Sequence, residues 1–265
     1  MNKSKTSIIT ILIFLFLIGL SVVCVSPTFS TESNGKLPFS DVPADHEARE
    51  ALEYLYDNEW IIGYPDGTFN GEGFISRYDL AVMLSRFWSR LDDEFTGKGL
   101  DIKISGFVQP YKFQDVPVDH WSYAWGLELL ADQNLLSWND VNKNFNGDSY
   151  ATRIDLAIYF GRMLDRIEDA YSNAGFEIDD SSAAASIIYS DVVEDDYAYQ
   201  EIFKVVNRGI MPGYSDNQWQ GERVFNRYEF AQILAGFLRS ALGQLEHVTQ
   251  QSPGINIAPY SDAGE

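Results

Sequence analysis

An all-α fold made of three helix-loop-helix units is predicted by three features of this sequence. The first is a repeat. Phe39-Ser40-Asp41-Val42-Pro43, Phe113-Gln114-Asp115-Val116-Pro117 and Tyr189-Ser190-Asp191-Val192 each open a unit. The units close on Ile75-Ser76-Arg77-Tyr78-Asp79-Leu80-Ala81, Ala151-Thr152-Arg153-Ile154-Asp155-Leu156-Ala157 and Phe225-Asn226-Arg227-Tyr228-Glu229-Phe230-Ala231. The opening Asp and closing Arg are separated by 36, 38 and 36 residues, a register that chance does not hold three times. The second feature is periodicity: Ala51, Leu52, Leu55 and Tyr56, then Leu80, Met83, Leu84 and Phe87, follow the i, i+3, i+4 spacing of an amphipathic helix. The third is an aromatic share of 14%, which supplies rings for a core that an acidic disordered chain lacks. A single helix pair cannot bury its apolar stripe, whereas three can pack their second helices into a shared central bundle, giving a pseudo-trimer.

The elements follow in order. Residues 1–30 read as a secretion signal, with basic Lys3 and Lys5, an apolar run over 8–25 and small residues Thr28 and Ser30 around Phe29 at a cleavage site. The rival reading is a retained anchor helix, since a bilayer span needs about 20 apolar residues. A linker over 31–38 leads into unit one, 39–93, whose loop Gly63-Tyr64-Pro65-Asp66-Gly67-Thr68-Phe69 carries turn chemistry. An insertion over 94–112 contains Leu100-Asp101-Ile102-Lys103-Ile104, whose period-two pattern predicts a short exposed strand or hairpin arm. Unit two spans 113–167, with Ser137-Trp138-Asn139-Asp140-Val141-Asn142 in place of the glycine-rich loop. A second insertion over 168–188 precedes unit three, 189–242, and the tail 243–265, with Pro253, Gly254 and Pro259, is expected to be disordered.

Charge and composition exclude several functions. The chain has 19 basic and 39 acidic residues, and loss of Lys3 and Lys5 with the signal leaves 17 against 39, or −22. Such a surface repels nucleic acid and anionic lipid. The one cysteine, Cys24, lies within the signal, so the mature chain has neither a disulfide framework nor a thiolate metal site. Asp140, Asn142 and Asn144 have calcium-loop spacing, but Phe145 and Ala151 stand where Gly and Glu are required, which predicts a polar turn. His46 and His120 share one register ahead of the first helices and are expected to cap or pack. With His247 in the tail they make no metal cluster and no nucleophile–base pair, so neither a cofactor nor a catalytic residue is expected.

The residues left to carry chemistry lie at the start of each second helix. Ser76 with Asp79, Thr152 with Asp155 and Asn226 with Glu229 have the spacing of a capping box. Arg77, Arg153 and Arg227 follow directly, where unpaired N–H groups and the helix dipole favour an anion, and a guanidinium suits a carboxylate. Two readings stand: the arginines grip a ligand carboxylate, or they pair with acids of a neighbouring unit.

On its three motif blocks, Phe39-Ser40-Asp41-Val42-Pro43, Gly63-Tyr64-Pro65-Asp66-Gly67-Thr68-Phe69 and Ile75-Ser76-Arg77-Tyr78-Asp79-Leu80, the sequence resembles the S-layer homology family, over most of 39–242. The resemblance implies a three-pronged helical spindle that binds cell-wall secondary polysaccharide, or a glycan linked to peptidoglycan, whose sugars carry a pyruvate ketal. It implies that Arg77, Arg153 and Arg227 meet the ketal carboxylate, with Gly63, Tyr64, Asp66, Gly67, Trp121, Gly213 and Tyr214 lining the sugar more weakly. It further implies an exported protein at the cell wall, the S-layer or the periplasmic face of an outer membrane, and another envelope protein as a possible partner. The position after the histidine register is Glu47, Trp121 and Tyr197 in the three units, and unit two lacks the glycine loop, so unequal grooves are expected. The rival functions are self-assembly through the repeats and hydrolysis of wall glycan by paired carboxylates.

Overall fold

The computed structural model describes residues 37–103, 113–136, 144–176 and 189–251. The expected signal, the second-unit loop with Asp140 and Asn142, and residues 104–112 and 177–188 of the two insertions lie outside the described residues. Among the described residues the chain is all-α, its few β-contacts being isolated bridges. Unit one contributes α1 (Arg49–Asp57) and α2 (Arg77–Thr96). Unit two contributes a π-helical turn (Tyr123–Leu127) running into α3 (Glu128–Asp132), then α4 (Arg153–Asn173). Unit three contributes α5 (Tyr199–Asn207) and α6 (Arg227–Gln251).

Each short helix buries one stripe, Ala51, Leu52 and Leu55 in α1 and Ile202 and Val205 in α5. All three short helices stop in the same way. Glu59, Asn134 and Gly209 take the left-handed conformation, with φ of 59°, 52° and 65°. The next amide donates back to the carbonyl of Leu55, Leu130 or Val205 at 2.7, 2.8 and 2.9 Å, which satisfies a carbonyl that the helix end leaves orphaned. From the His46, His120 and Asp196 register to these stops the chain counts 13, 14 and 13 residues. The extra residue in unit two is absorbed by the π-helical turn, whose wider loop takes one residue more.

The long helices meet through one phenylalanine each. Ring centroids of Phe87, Phe160 and Phe237 lie 6.3, 5.5 and 4.4 Å apart pairwise. Each long helix also packs on the short helix of another unit: α2 on the π-helical turn, α4 on α5 and α6 on α1. Close approach needs small residues. A Cβ on Gly126 would stand 2.9 Å from the Cα of Val82, and one on Gly161 2.8 Å from that of Glu201.

Three expectations are corrected. Residues 100–103 form no strand, and Leu100 and Ile102 are buried in the core, with Lys103 paired to Asp92. The period-two pattern there marks alternate burial of an irregular segment; the remainder, from residue 104, is outside the described residues. The long helices overrun the expected unit boundaries at 93 and 167, because Phe95, Ala170 and Tyr171 extend the buried stripe. For the same reason the tail is not disordered from 243: α6 continues to Gln251 with Leu245 buried.

Candidate functional site

The aspartate of each opening motif sets up the site. Asp41 accepts from the amides of Phe69 and Asn70, Asp115 from those of Phe145 and Asn146, and Asp191 from those of Trp219 and Gln220, all six at 2.7 Å. The second residue of each pair is held in the left-handed region, with φ of 53°, 53° and 59°. A carboxylate that accepts two amides at once offsets the strain of three side-chain-bearing residues there. It also fixes the carbonyl of the preceding aromatic, and that carbonyl receives an arginine from another unit.

The Nε of Arg227 donates to Phe69 O at 2.8 Å, that of Arg77 to Phe145 O at 2.9 Å and that of Arg153 to Trp219 O at 3.1 Å. Each guanidinium lies over the ring of the same aromatic, at 4.7, 5.2 and 5.0 Å. The amides at the helix starts are engaged too. Arg77, Arg153 and Arg227 donate N–H to the carbonyls of Ser149, Arg223 and Gly73 at 2.9, 3.0 and 3.0 Å. Tyr78, Ile154 and Tyr228 donate to Gly147, Gly221 and Gly71 at 3.0, 2.9 and 3.0 Å. The N–H groups expected to await an anion are therefore taken by the neighbouring unit, and only guanidinium groups remain to offer.

The expected caps form unequally. Thr152 and Asp155 complete the reciprocal capping box, as do Asn226 and Glu229. Ser76 accepts from the amide of Asp79 at 3.1 Å, but its hydroxyl donates to the Asp79 carboxylate at 2.6 Å. His46 accepts the amide of Ala48 and stacks on Tyr228 at 3.9 Å, and His120 lies 4.4 Å from Tyr78. Both therefore cap and pack, as their register predicts.

Beyond Nε the three arginines differ. Arg77 is paired with Asp155, the capping acid of unit two. Arg153 is buried, donates a second bond to Pro212 O at 2.8 Å and lies 4.9 Å from the Tyr214 ring. Burial pushes its guanidinium below the ordinary arginine value. Arg223 also lies over the Tyr214 ring, at 5.1 Å, and is bonded to the Tyr214 hydroxyl and to Glu229 at 2.6 Å. Arg227 pairs with no carboxylate among the described residues. It lines a cavity of about 490 Å³ beside Gly63, Tyr64, Phe69 and Phe74, with Arg86 and Arg90 of α2 on the wall.

The loop residues are set by turn chemistry. A Cβ on Gly63 would meet the Phe39 ring at 2.4 Å, and one on Gly213 the Tyr189 ring at 2.3 Å, so both glycines permit close packing beneath the loop. Asp66 accepts from the Thr68 hydroxyl and amide at 2.7 and 3.0 Å, which holds its carboxyl below the ordinary aspartate value. Gly67 turns with φ of 82°. Tyr64 is 45% exposed, with Arg227 5.0 Å from its ring. Trp121 is 49% exposed and packs against Tyr78 of unit one and His120 of its own unit, and it is not part of the Arg227 cavity. Sequence reasoning missed Arg86, Arg90 and the aspartate clamps; the clamps were visible as the invariant third position of each opening motif.

Residues 38–81 match the family model described as the S-layer homology domain. The chain carries an S-layer homology domain. The matched stretch holds the Asp41 clamp, the Gly63 loop and the Arg77 helix start, and the clamp and helix-start hydrogen bonds recur in units two and three. Among curated proteins, 65 residues are 42% identical to outer membrane protein SlpA of Thermus thermophilus, covering 24% of this chain and 7% of that one. A cellulosome-anchoring protein of Acetivibrio thermocellus is 23% identical over 233 residues, 86% of this chain and 45% of the relative. An endoglucanase of a Bacillus species is 23% identical over 239 residues, 89% of this chain and 22% of the enzyme. The chain thus spans less than half the length of each of these relatives.

Proposed function

We propose that this protein is exported and held at the cell envelope by gripping an anionic wall polysaccharide, without performing chemistry on it. The observation that carries this reading is the unequal state of the three arginines. In the groove between the unit-one loop and the start of α6, the Arg227 guanidinium keeps one hydrogen bond to the protein, from Nε, and lines an open cavity with Arg86 and Arg90 and with the acids Glu59 and Asp79. A carboxylate-bearing sugar, such as a pyruvate ketal, fits there: the guanidinium takes the carboxylate and the half-exposed Tyr64 ring faces a sugar ring. The names of the relatives, one an anchoring protein and one an outer membrane protein, support an envelope location. Arg77 and Arg153 serve this reading as latches between units, and their grooves contribute little affinity. No helix among the described residues is long and apolar enough to cross a membrane.

The test is co-sedimentation of the mature chain with purified sacculi, intact and stripped of secondary polymer, for wild type and for Arg227→Gln, Arg77→Gln and Arg153→Gln. Loss of one charged hydrogen-bonding group weakens binding by about 1.5 to 3 kcal/mol, or roughly 10- to 100-fold. That loss is expected for Arg227→Gln alone, with no binding to stripped walls. Equal binding by all four proteins, or equal binding to stripped walls, sinks the proposal.

A further inference from the structure

One ring of the cavity wall continues into an exposed pair that nothing in the grooves requires. Phe74, on that wall, is 52% exposed, and Tyr150 of unit two is 56% exposed, with ring centroids 5.4 Å apart at 49°. Single exposed aromatics are ordinary, but two adjacent ones on a fixed backbone are not. Phe74 bridges Asn226 and Tyr150 bridges Ser76, so both backbones are pinned where units meet. The register-equivalent position in unit three is Val224, bridged to Thr152, so two of the three junctions carry a ring and the junction of units two and three does not.

The surrounding charge narrows the occupant. Glu72 and Asp148 each stand two residues before a ring, and both are exposed. Glu72 accepts from Asn226 at 3.1 Å, which holds it at the unit junction. Carboxylates repel an anionic group and accept hydrogen bonds from hydroxyls, while an aromatic face packs the C–H face of a sugar. We infer that Phe74 and Tyr150 form a stacking platform for uncharged sugar residues of the same polysaccharide whose acid-bearing sugar sits at Arg227. This inference rests on the glycan reading above and extends it: the bound unit is an oligosaccharide with one anionic and at least one neutral residue. Because the rings stand on pinned backbone, little ordering opposes binding.

The test uses the full mature chain and two probes: a monosaccharide bearing the pyruvate ketal, and size-fractionated oligosaccharides released from the wall polymer. Titration calorimetry would compare wild type, Phe74→Ala, Tyr150→Ala and Arg227→Gln. Both ring positions are largely exposed, so folding should persist, and far-UV circular dichroism checks it. Each ring variant is expected to bind the oligosaccharides about tenfold more weakly, a modest hot-spot loss, and the monosaccharide as wild type does. Arg227→Gln is expected to weaken both. Ring variants that bind oligosaccharides like wild type, while Arg227→Gln does not, overturn the platform and leave the glycan reading standing. Failure of wild type to bind either probe overturns both. If wild type self-associates in sedimentation and the ring variants do not, the pair is a contact between copies of this chain and the platform falls.

Discussion

The motif arginine performs one task in all three units and a second task in one. Its Nε and its stack on a clamped aromatic join neighbouring units everywhere. What the outer nitrogens meet depends on residues that another unit contributes: Asp155 for Arg77, Pro212 for Arg153 and the open cavity for Arg227. Stability and binding should therefore separate. Arg77→Ala takes the guanidinium from Asp155, whose side chain is 10% exposed and keeps its bonds within the capping box, and should lower stability by about 3 kcal/mol, because breaking a largely buried ion pair costs more than losing a neutral hydrogen bond. Arg227→Ala, which removes a bond to a carbonyl, should lower it by only about 1 kcal/mol. Urea unfolding midpoints measure both, and equal losses would contradict the assignment. The capping pairs were legible in the sequence because Ser76, Thr152 and Asn226 each lie three residues from their acids. The inequality of the arginines was not, because its causes lie 59 to 78 residues away in the chain.

At the scale of elements, helix existence was legible and helix ends were not. The i, i+3, i+4 stripes place α1 and α2 well, yet the long helices outrun their units wherever a further ring or leucine, such as Phe95, Tyr171 or Leu245, finds the core. The π-helical turn is an informative miss. Its cause is a count, 14 residues against 13, which contributes to the longer 38-residue spacing of unit two. What that count does to packing required the structure: Gly126 is brought against the backbone of Val82. Counted back from the helix stops, Gly126 corresponds to Ala51 in unit one, and any side chain at 126 must push α2 away. Gly126→Leu should thus destabilise by about 1 to 3 kcal/mol through overpacking, despite the better helix propensity of Leu. Thermal melts monitored by circular dichroism give the sign. A stabilised variant would mean that the interface yields easily.

At the scale of the molecule, the decisive property is closure. The helix start of unit one docks on the loop of unit two, that of unit two on unit three, and that of unit three returns to Gly71 and Gly73 of unit one. The same order holds for helix packing and for the phenylalanines of the three long helices. An open array of repeats has end units with one neighbour each and can fray from them. A closed one has no end, so loss of any unit removes two interfaces and one third of the central packing. Removal of residues 189–265 would strip Phe69 O, Gly71 O and Gly73 O of their donors and take Phe237 from between Phe87 and Phe160. The intact mature chain is accordingly expected to unfold in one transition, with tryptophan fluorescence and far-UV circular dichroism coincident across urea. The two-unit fragment should show no sharp transition and much reduced helix content. Two resolved transitions in the intact chain, or a fragment that melts as sharply as the whole, would mean that the units stand independently and that the Arg227 groove needs only its two nearest walls.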